Sequence, residues 1–143
     1  YRMTEIQAAL GLSQMRRIES ILSDRRLTAN RYDDALSKVS GVSVRTATAE
    51  ETWSYQSYVV LLDDEIDRNA AIANMDSMGI ETTIGTYACH QHPAFCSQGI
   101  RSDGLSNATR YANQTLTLPL VANMSTSEVD RVVAALISTI GQQ

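Results

Sequence analysis

Trp53-Ser54-Tyr55-Gln56-Ser57-Tyr58-Val59-Val60-Leu61-Leu62 is the stretch that decides the fold class, because aromatic and β-branched residues crowd into it and such residues suit a pleated surface. It predicts a strand, the best in the chain. The small, polar and acidic segment from Ala47 to Thr52 reads as an exposed connection leading into it. Downstream, Asp67 is placed to cap a helix that runs through Met78 with Ile72 and Met75 turned inward. Gly79 then ends the helix, and Ile80 re-enters as a strand.

Towards the N-terminus, Val42-Ser43-Val44 alternates as a short strand after Gly41, a residue suited to a left-handed helix end. Before it, Ile6, Leu10, Met15, Ile18, Leu22, Ala29, Tyr32 and Leu36 recur at helical spacing from Glu5 to about Val39, opened by a capping box between Thr4 and Gln7. One straight helix of that length would run about 50 Å, so a break or bend is expected between Gln14 and Ser20. Towards the C-terminus, a short helix follows Ser106 and Leu116-Thr117-Leu118 alternates as a strand up to Pro119. The last helix starts at a box formed by Ser125 and Glu128, with Met124 stapling against Val129 and Val132, Val133, Leu136 and Ile140 on its inner face. The expected fold is therefore α+β: a small, mainly antiparallel sheet packed with helices and preceded by a long N-terminal helix, with no internal repeat.

Composition narrows the function. The chain has 143 residues, and its net charge of −4 comes from acids and bases interspersed along it. No basic footprint for nucleic acid or an anionic membrane results, so neither is expected as a partner. No apolar run approaches the roughly 20 residues that span a bilayer, and no charged-then-apolar leader precedes the first helix; a cytoplasmic location is expected. Two cysteines are too few for a disulfide framework and read as buried, small apolar groups. Of the 12 basic residues, Lys38 is the only lysine.

Gly85 to Gly104 is irregular in sequence and holds both histidines and both cysteines, and a loop of that length in a compact domain is usually functional. The run from Cys89 through His90 and His92 to Cys96 invites a zinc reading. Structural zinc sites split their ligands into two separated pairs, however, and adjacent Cys89 and His90 project in different directions, so no metal is expected. The three Asn-X-Ser/Thr triplets at Asn107, Asn113 and Asn123 fall in a stretch rich in such residues and carry no weight.

Five stretches, taken in order, carry a resemblance: residues 1–11, Tyr1 through Gly11; Ser54-Tyr55-Gln56-Ser57-Tyr58-Val59-Val60; Gly79-Ile80-Glu81-Thr82; His90 with Pro93; and Leu116-Thr117-Leu118-Pro119-Leu120. The chain resembles, nearly end to end, the C-terminal region of the DegT-like nucleotide-sugar aminotransferases, a branch of the fold type I enzymes that use pyridoxal 5′-phosphate (PLP). The resemblance implies that residues 1–143 are the C-terminal, smaller domain of a two-domain enzyme, with residues near 1–16 at the junction with the larger domain. It implies transfer of an amino group, from a donor such as glutamate, to a keto-deoxysugar on a nucleotide by a homodimer, in polysaccharide biosynthesis.

On this reading the lysine that forms the Schiff base with PLP lies outside the chain, which holds no catalytic residue and is inactive alone. Lys38 sits near the end of a helix, where a cation complements the dipole and stays solvated, and it is not taken as that lysine. In the family an Asn immediately before the Tyr-Arg-Met motif reaches the cofactor phosphate of the other subunit. Arg2 is thereby implied to lie near the cofactor and Tyr1 near the substrate, Arg2 offering a fixed, permanently charged fork. His90 corresponds to a family histidine near the substrate entrance, and Thr86 and Tyr87 are hydroxyl donors on the same loop. Many members have Gln where this chain has His92. The competing reading is a non-catalytic dimerisation or regulatory module of the same fold.

Overall fold

Only the second half of the run at residues 53–62 is a strand. A computed structural model of the chain describes residues 2–48, 50–96 and 103–141, with the backbone alone at Cys96, and there the strand covers Tyr58–Leu62. Tyr55 takes a left-handed φ of 45°, which breaks the extended path and lets its ring meet that of Trp53 at 5.7 Å. The guanidinium of Arg45 lies 5.1 Å from the Trp53 ring centre.

In chain order the elements are α1 (Glu5–Met15), α2 (Ile18–Leu36), β1 (Val42–Val44), β2 (Tyr58–Leu62), α3 (Arg68–Ser77), β3 (Thr83–Ile84), a 3-10 turn at Cys89–Gln91, α4 (Pro93–Cys96), α5 (Ser106–Gln114), β4 (Thr115–Leu118) and α6 (Thr126–Ile140). The expected break falls at Arg16 and Arg17, between α1 and α2. Both predicted capping boxes form, at Thr4 and at Ser125, and Asp67 caps α3 by accepting from the amides of Asn69 and Ala70. Gly41 and Gly79 take the predicted left-handed conformation, at φ 85° and 70°. Ile80 does not begin a strand. Its amide donates back to the Met75 carbonyl at 3.0 Å and so completes the end of α3, which delays β3 to Thr83.

The sheet is antiparallel throughout, in the order β1-β2-β4-β3. Its registers align Val44, Val60, Leu116 and Ile84 in one row, and Tyr58, Val60, Leu62, Leu116 and Leu118 are all buried. These side chains form one core with Ala29, Tyr32 and Leu36 of α2, Ala71 and Met75 of α3, and Val129, Val132, Val133 and Leu136 of α6. The opposite face, with Val59 and Leu61 only half-buried, carries no such layer of long helices among the described residues. Helix α1 stands apart, with none of its residues buried. No helix among the described residues is long and apolar enough to cross a membrane.

Arginine ties the elements through main-chain carbonyls. Arg31 Nη1 donates to the Met124 carbonyl at 3.1 Å, Arg131 Nη2 to Met78 at 2.8 Å, and Arg68 Nη1 to both Ala112 and Thr115 at 3.2 Å. The planar guanidinium holds its N–H donors at fixed angles, which suits such bridges to main-chain carbonyls.

Two stacked tyrosines join α2 to β2. The Tyr32 and Tyr58 rings lie 4.8 Å apart; Tyr32 donates its hydroxyl to the Pro119 carbonyl at 2.8 Å, and Tyr58 donates to Asp33 Oδ1 at 2.6 Å. Burial raises the Asp33 pKa above the usual carboxylate range, the Tyr58 hydroxyl opposes that rise, and neighbouring Asp34 adds to it. A raised folded-state pKa means that the native protein holds the Asp33 proton more tightly than the unfolded chain does. The Asp33 contribution to stability is therefore full below the unfolded pKa and is lost as pH rises through the folded one. Wild type compared with Asp33→Asn in urea titrations across the acid-to-neutral range should show wild type losing ground as pH rises through that window. A difference that does not vary with pH would refute the assignment.

Candidate functional site

Gly85 is where the irregular segment leaves the sheet. Its amide donates to the Thr115 carbonyl at 3.0 Å, which draws the backbone against β4 just beyond β3. A Cβ at this position would stand 2.5 Å from Val59 Cγ1 and 2.6 Å from both Cβ and Oγ1 of Thr115, so only glycine fits. Thr115 is itself held, since its hydroxyl donates to the Tyr111 carbonyl at 2.5 Å. At the other end, α5 passes into β4 without an intervening residue, Gln114 being followed directly by Thr115.

Thr86 emerges beside a groove of about 990 Å³ on the open face of the sheet, which it lines with Trp53, Tyr55, Val59, Tyr111 and Thr115. Tyr87 is 76% exposed, whereas Ala88 turns inward and is buried. The 3-10 turn then places half-buried His90 with Nε2 2.9 Å from Thr109 Oγ1 on α5. His90 lines a second, open depression with Asp64, Ser106, Thr109, Arg110 and Asn113. Across it, Arg110 Nε donates to Asp64 Oδ1 at 2.9 Å, and that hydrogen bond raises the guanidinium pKa still further. Thr86 and His90 thus open onto different depressions, and α5 contributes to both, through Tyr111 on one and through Thr109, Arg110 and Asn113 on the other.

The soft-ligand run disperses. His92 Nδ1 accepts from the Ala94 amide at 3.2 Å at the start of α4, and the His92 ring stands 5.8 Å from that of Phe95. Cys89 is exposed, contrary to the sequence expectation, because it opens the 3-10 turn and the inward position falls to Ala88. The Cys96 side chain lies outside the described residues, as does Tyr1. Among the described residues, no cluster of three or more His, Cys, Asp and Glu is placed to hold a metal ion. Arg2 is exposed just before the Thr4 cap.

Sequence reasoning does not single out Thr109, Tyr111 or the Arg110–Asp64 pair. Their one local signal is the polar helix that follows the loop, and its closeness to His90 across 19 residues is a tertiary fact.

Lys38 lies exposed in the turn after α2, and lysine lines neither depression. The described residues offer hydroxyl, imidazole and guanidinium groups, and no amine in either depression. By themselves they do not fit a covalent PLP site.

The sequence profile of the DegT/DnrJ/EryC1/StrS aminotransferase family matches residues 1–137. The spore coat polysaccharide biosynthesis protein SpsC of Bacillus subtilis is 30% identical over 139 residues, covering 94% of this chain and 36% of that protein. GDP-perosamine synthase of Caulobacter vibrioides is also 30% identical over 139 residues, covering 95% of this chain and 37% of that one. A putative sugar aminotransferase of Streptococcus pneumoniae, Spr1654 in its PMP form, superposes with a TM-score of 0.91 over 99% of this chain and 36% of its own, at 24% identity, a likeness of fold. The chain spans a little over a third of the length of these relatives.

Proposed function

Because the chain belongs to the DegT/DnrJ/EryC1/StrS aminotransferase family, we propose that residues 1–143 are the C-terminal, smaller domain of a PLP-dependent enzyme that aminates a nucleotide-linked keto-deoxysugar. The observation that carries the reading is the family match along residues 1–137. A relative named GDP-perosamine synthase supports the nucleotide-sugar part of it. Glutamate is the proposed amino donor, the cytoplasm the location and a homodimer the working state, with residues near 1–16 at the junction with the larger domain.

Within this reading the chain positions substrate and leaves the covalent chemistry to a lysine elsewhere in the polypeptide. Thr109 fixes the His90 imidazole at 2.9 Å, which orients one ring nitrogen and with it the other. From there His90 contacts a sugar hydroxyl or phosphate oxygen of the substrate, while Thr86 and exposed Tyr87 supply hydroxyl donors from the same loop. Arg2 serves as a permanent cation for cofactor phosphate, and Tyr1 is the further proposed substrate contact. The 143-residue chain alone is inactive.

The test is spectroscopic. The full-length polypeptide should show the visible absorbance of lysine-bound PLP, and Lys38→Arg should leave that band unchanged. Loss of the band in that variant would make Lys38 the anchor and overturn the account.

A further inference from the structure

Helix α5 supplies the hydroxyl that fixes His90, yet little within the helix fixes α5 itself. It is 9 residues long, no side chain caps its start, and Ala112 is its one buried residue. A helix this short is marginal alone and takes its position from tertiary contacts. Two of these lie at the surface: Gln114 Nε2 donates to the Asp63 carbonyl at 3.2 Å, and the Arg110 and Asp64 side chains pair while 46% and 64% exposed. Exposed pairs of that kind contribute little. Arg68 is placed differently. It is half-buried at the first position of α3, and the two N–H groups of its Nη1 donate to the Ala112 and Thr115 carbonyls, both at 3.2 Å.

The Ala112 carbonyl belongs to the last turn of α5, where main-chain acceptors lack a partner inside the helix and a cation complements the dipole; that turn has no basic residue of its own. The Thr115 carbonyl accepts a second time, from the Gly85 amide at 3.0 Å. One guanidinium therefore grips both the end of the helix that bears Thr109 and the carbonyl to which the start of the His90 loop is tied. Arg68 Nε donates to Asn69 Oδ1 at 2.9 Å, which sets the plane of the group. Arg68 lines neither depression. We propose that Arg68 is a positioning residue for the substrate site: by joining Ala112 and Thr115 to α3 it holds Thr109 at hydrogen-bond distance from His90. The inference rests on the reading of His90 as a substrate contact. A slip of α5 by about 1 Å would carry Thr109 out of reach of the imidazole, and the ring would lose its fixed orientation.

The experiment uses the full-length polypeptide labelled with 15N-histidine, carrying Arg68→Met, which keeps an unbranched stem and removes the donors. The chemical shift of His90 Nε2, the PLP absorbance and the kinetics with a sugar-nucleotide substrate are read on the same preparation. The His90 signal should move in the direction that Thr109→Val moves it, and kcat/KM should fall about 3- to 10-fold with the absorbance unchanged. In a His90→Asn background, Arg68→Met should cost less than about twofold more, because its effect passes through that ring. An unmoved His90 signal would overturn the proposal, whatever happens to the unfolding midpoint. A kinetic loss that persists in full without His90, or a lost PLP band, would overturn it as well. If Arg68→Met does not fold, Arg68→Lys, which keeps the charge on a stem one bond shorter, is held to the same criteria. A moved signal with unchanged kinetics in both Arg68→Met and His90→Asn sinks the reading of His90 and leaves its link to Arg68 standing. An unmoved signal with a damaging His90→Asn sinks this inference alone.

Discussion

Gly85→Ala should lower the stability of the protein by about 3 kcal/mol, at the upper end of what inserting one methyl group into packed surroundings costs. The new Cβ would overlap Val59 and Thr115, both β-branched and both on paired strands, so neither has a spare rotamer to retreat into. Moving Thr115 would break its 2.5 Å hydrogen bond to Tyr111, and moving residue 85 would stretch the bond from its amide to the Thr115 carbonyl. Urea unfolding of wild type and variant checks this through the midpoint at unchanged slope. A loss under about 0.5 kcal/mol would show that the segment shifts freely and that its close approach to β4 has no structural importance.

On the proposed function, His90→Asn in the full-length polypeptide should reduce kcat/KM for the sugar substrate roughly 10- to 100-fold, the cost of losing one or two hydrogen bonds to a charged or partly charged oxygen. PLP binding, read from its absorbance, should change little, since the proposed contact is with the sugar nucleotide. Thr109→Val keeps the shape of the threonine and removes the hydroxyl that orients the ring, so its effect should be smaller, about 3- to 10-fold. The pair of variants distinguishes contact from folding: loss of activity with PLP absorbance and unfolding midpoint intact is the expected pattern. Unchanged kinetics in His90→Asn would remove that histidine from the site.

Much of the fold is legible locally. Thr4 with Gln7, Ser125 with Glu128, and Asp67 at α3 are caps whose donor and acceptor lie within three residues, so a string of letters contains the whole interaction. The inner face of α6 and the strands at Val42–Val44 and Thr115–Leu118 follow from periodicity in the same way. What escapes is non-local. Nothing around Tyr55 announces its left-handed φ, which arises where Trp53 and Tyr55 pack together and Arg45 lies over Trp53, so the predicted strand begins five residues late. Ile80 has the right chemistry for a strand, but its amide is already committed to ending α3.

The site divides along the same line. His90, Thr86 and Tyr87 stand out as side chains on a long irregular loop, and the family resemblance points to His90. Thr109 is polar and unremarkable in sequence, and only folding brings it to 2.9 Å from His90. Gly85 is one of seven glycines, and its necessity depends on Thr115, thirty residues later in the chain.

The excursion that carries His90 leaves and rejoins the body of the protein at a single point. Residue 85 is pinned to the Thr115 carbonyl, and α5 flows directly into Thr115 itself, so the two ends share one base, while Arg68 and Asp64 hold α5 to the body. Lengthening or shortening such a detour costs little closure entropy and disturbs no other strand pairing. Evolution, or an engineer, could therefore vary the stretch ahead of α5 as a cartridge, leaving the strand pairing of the chassis in place.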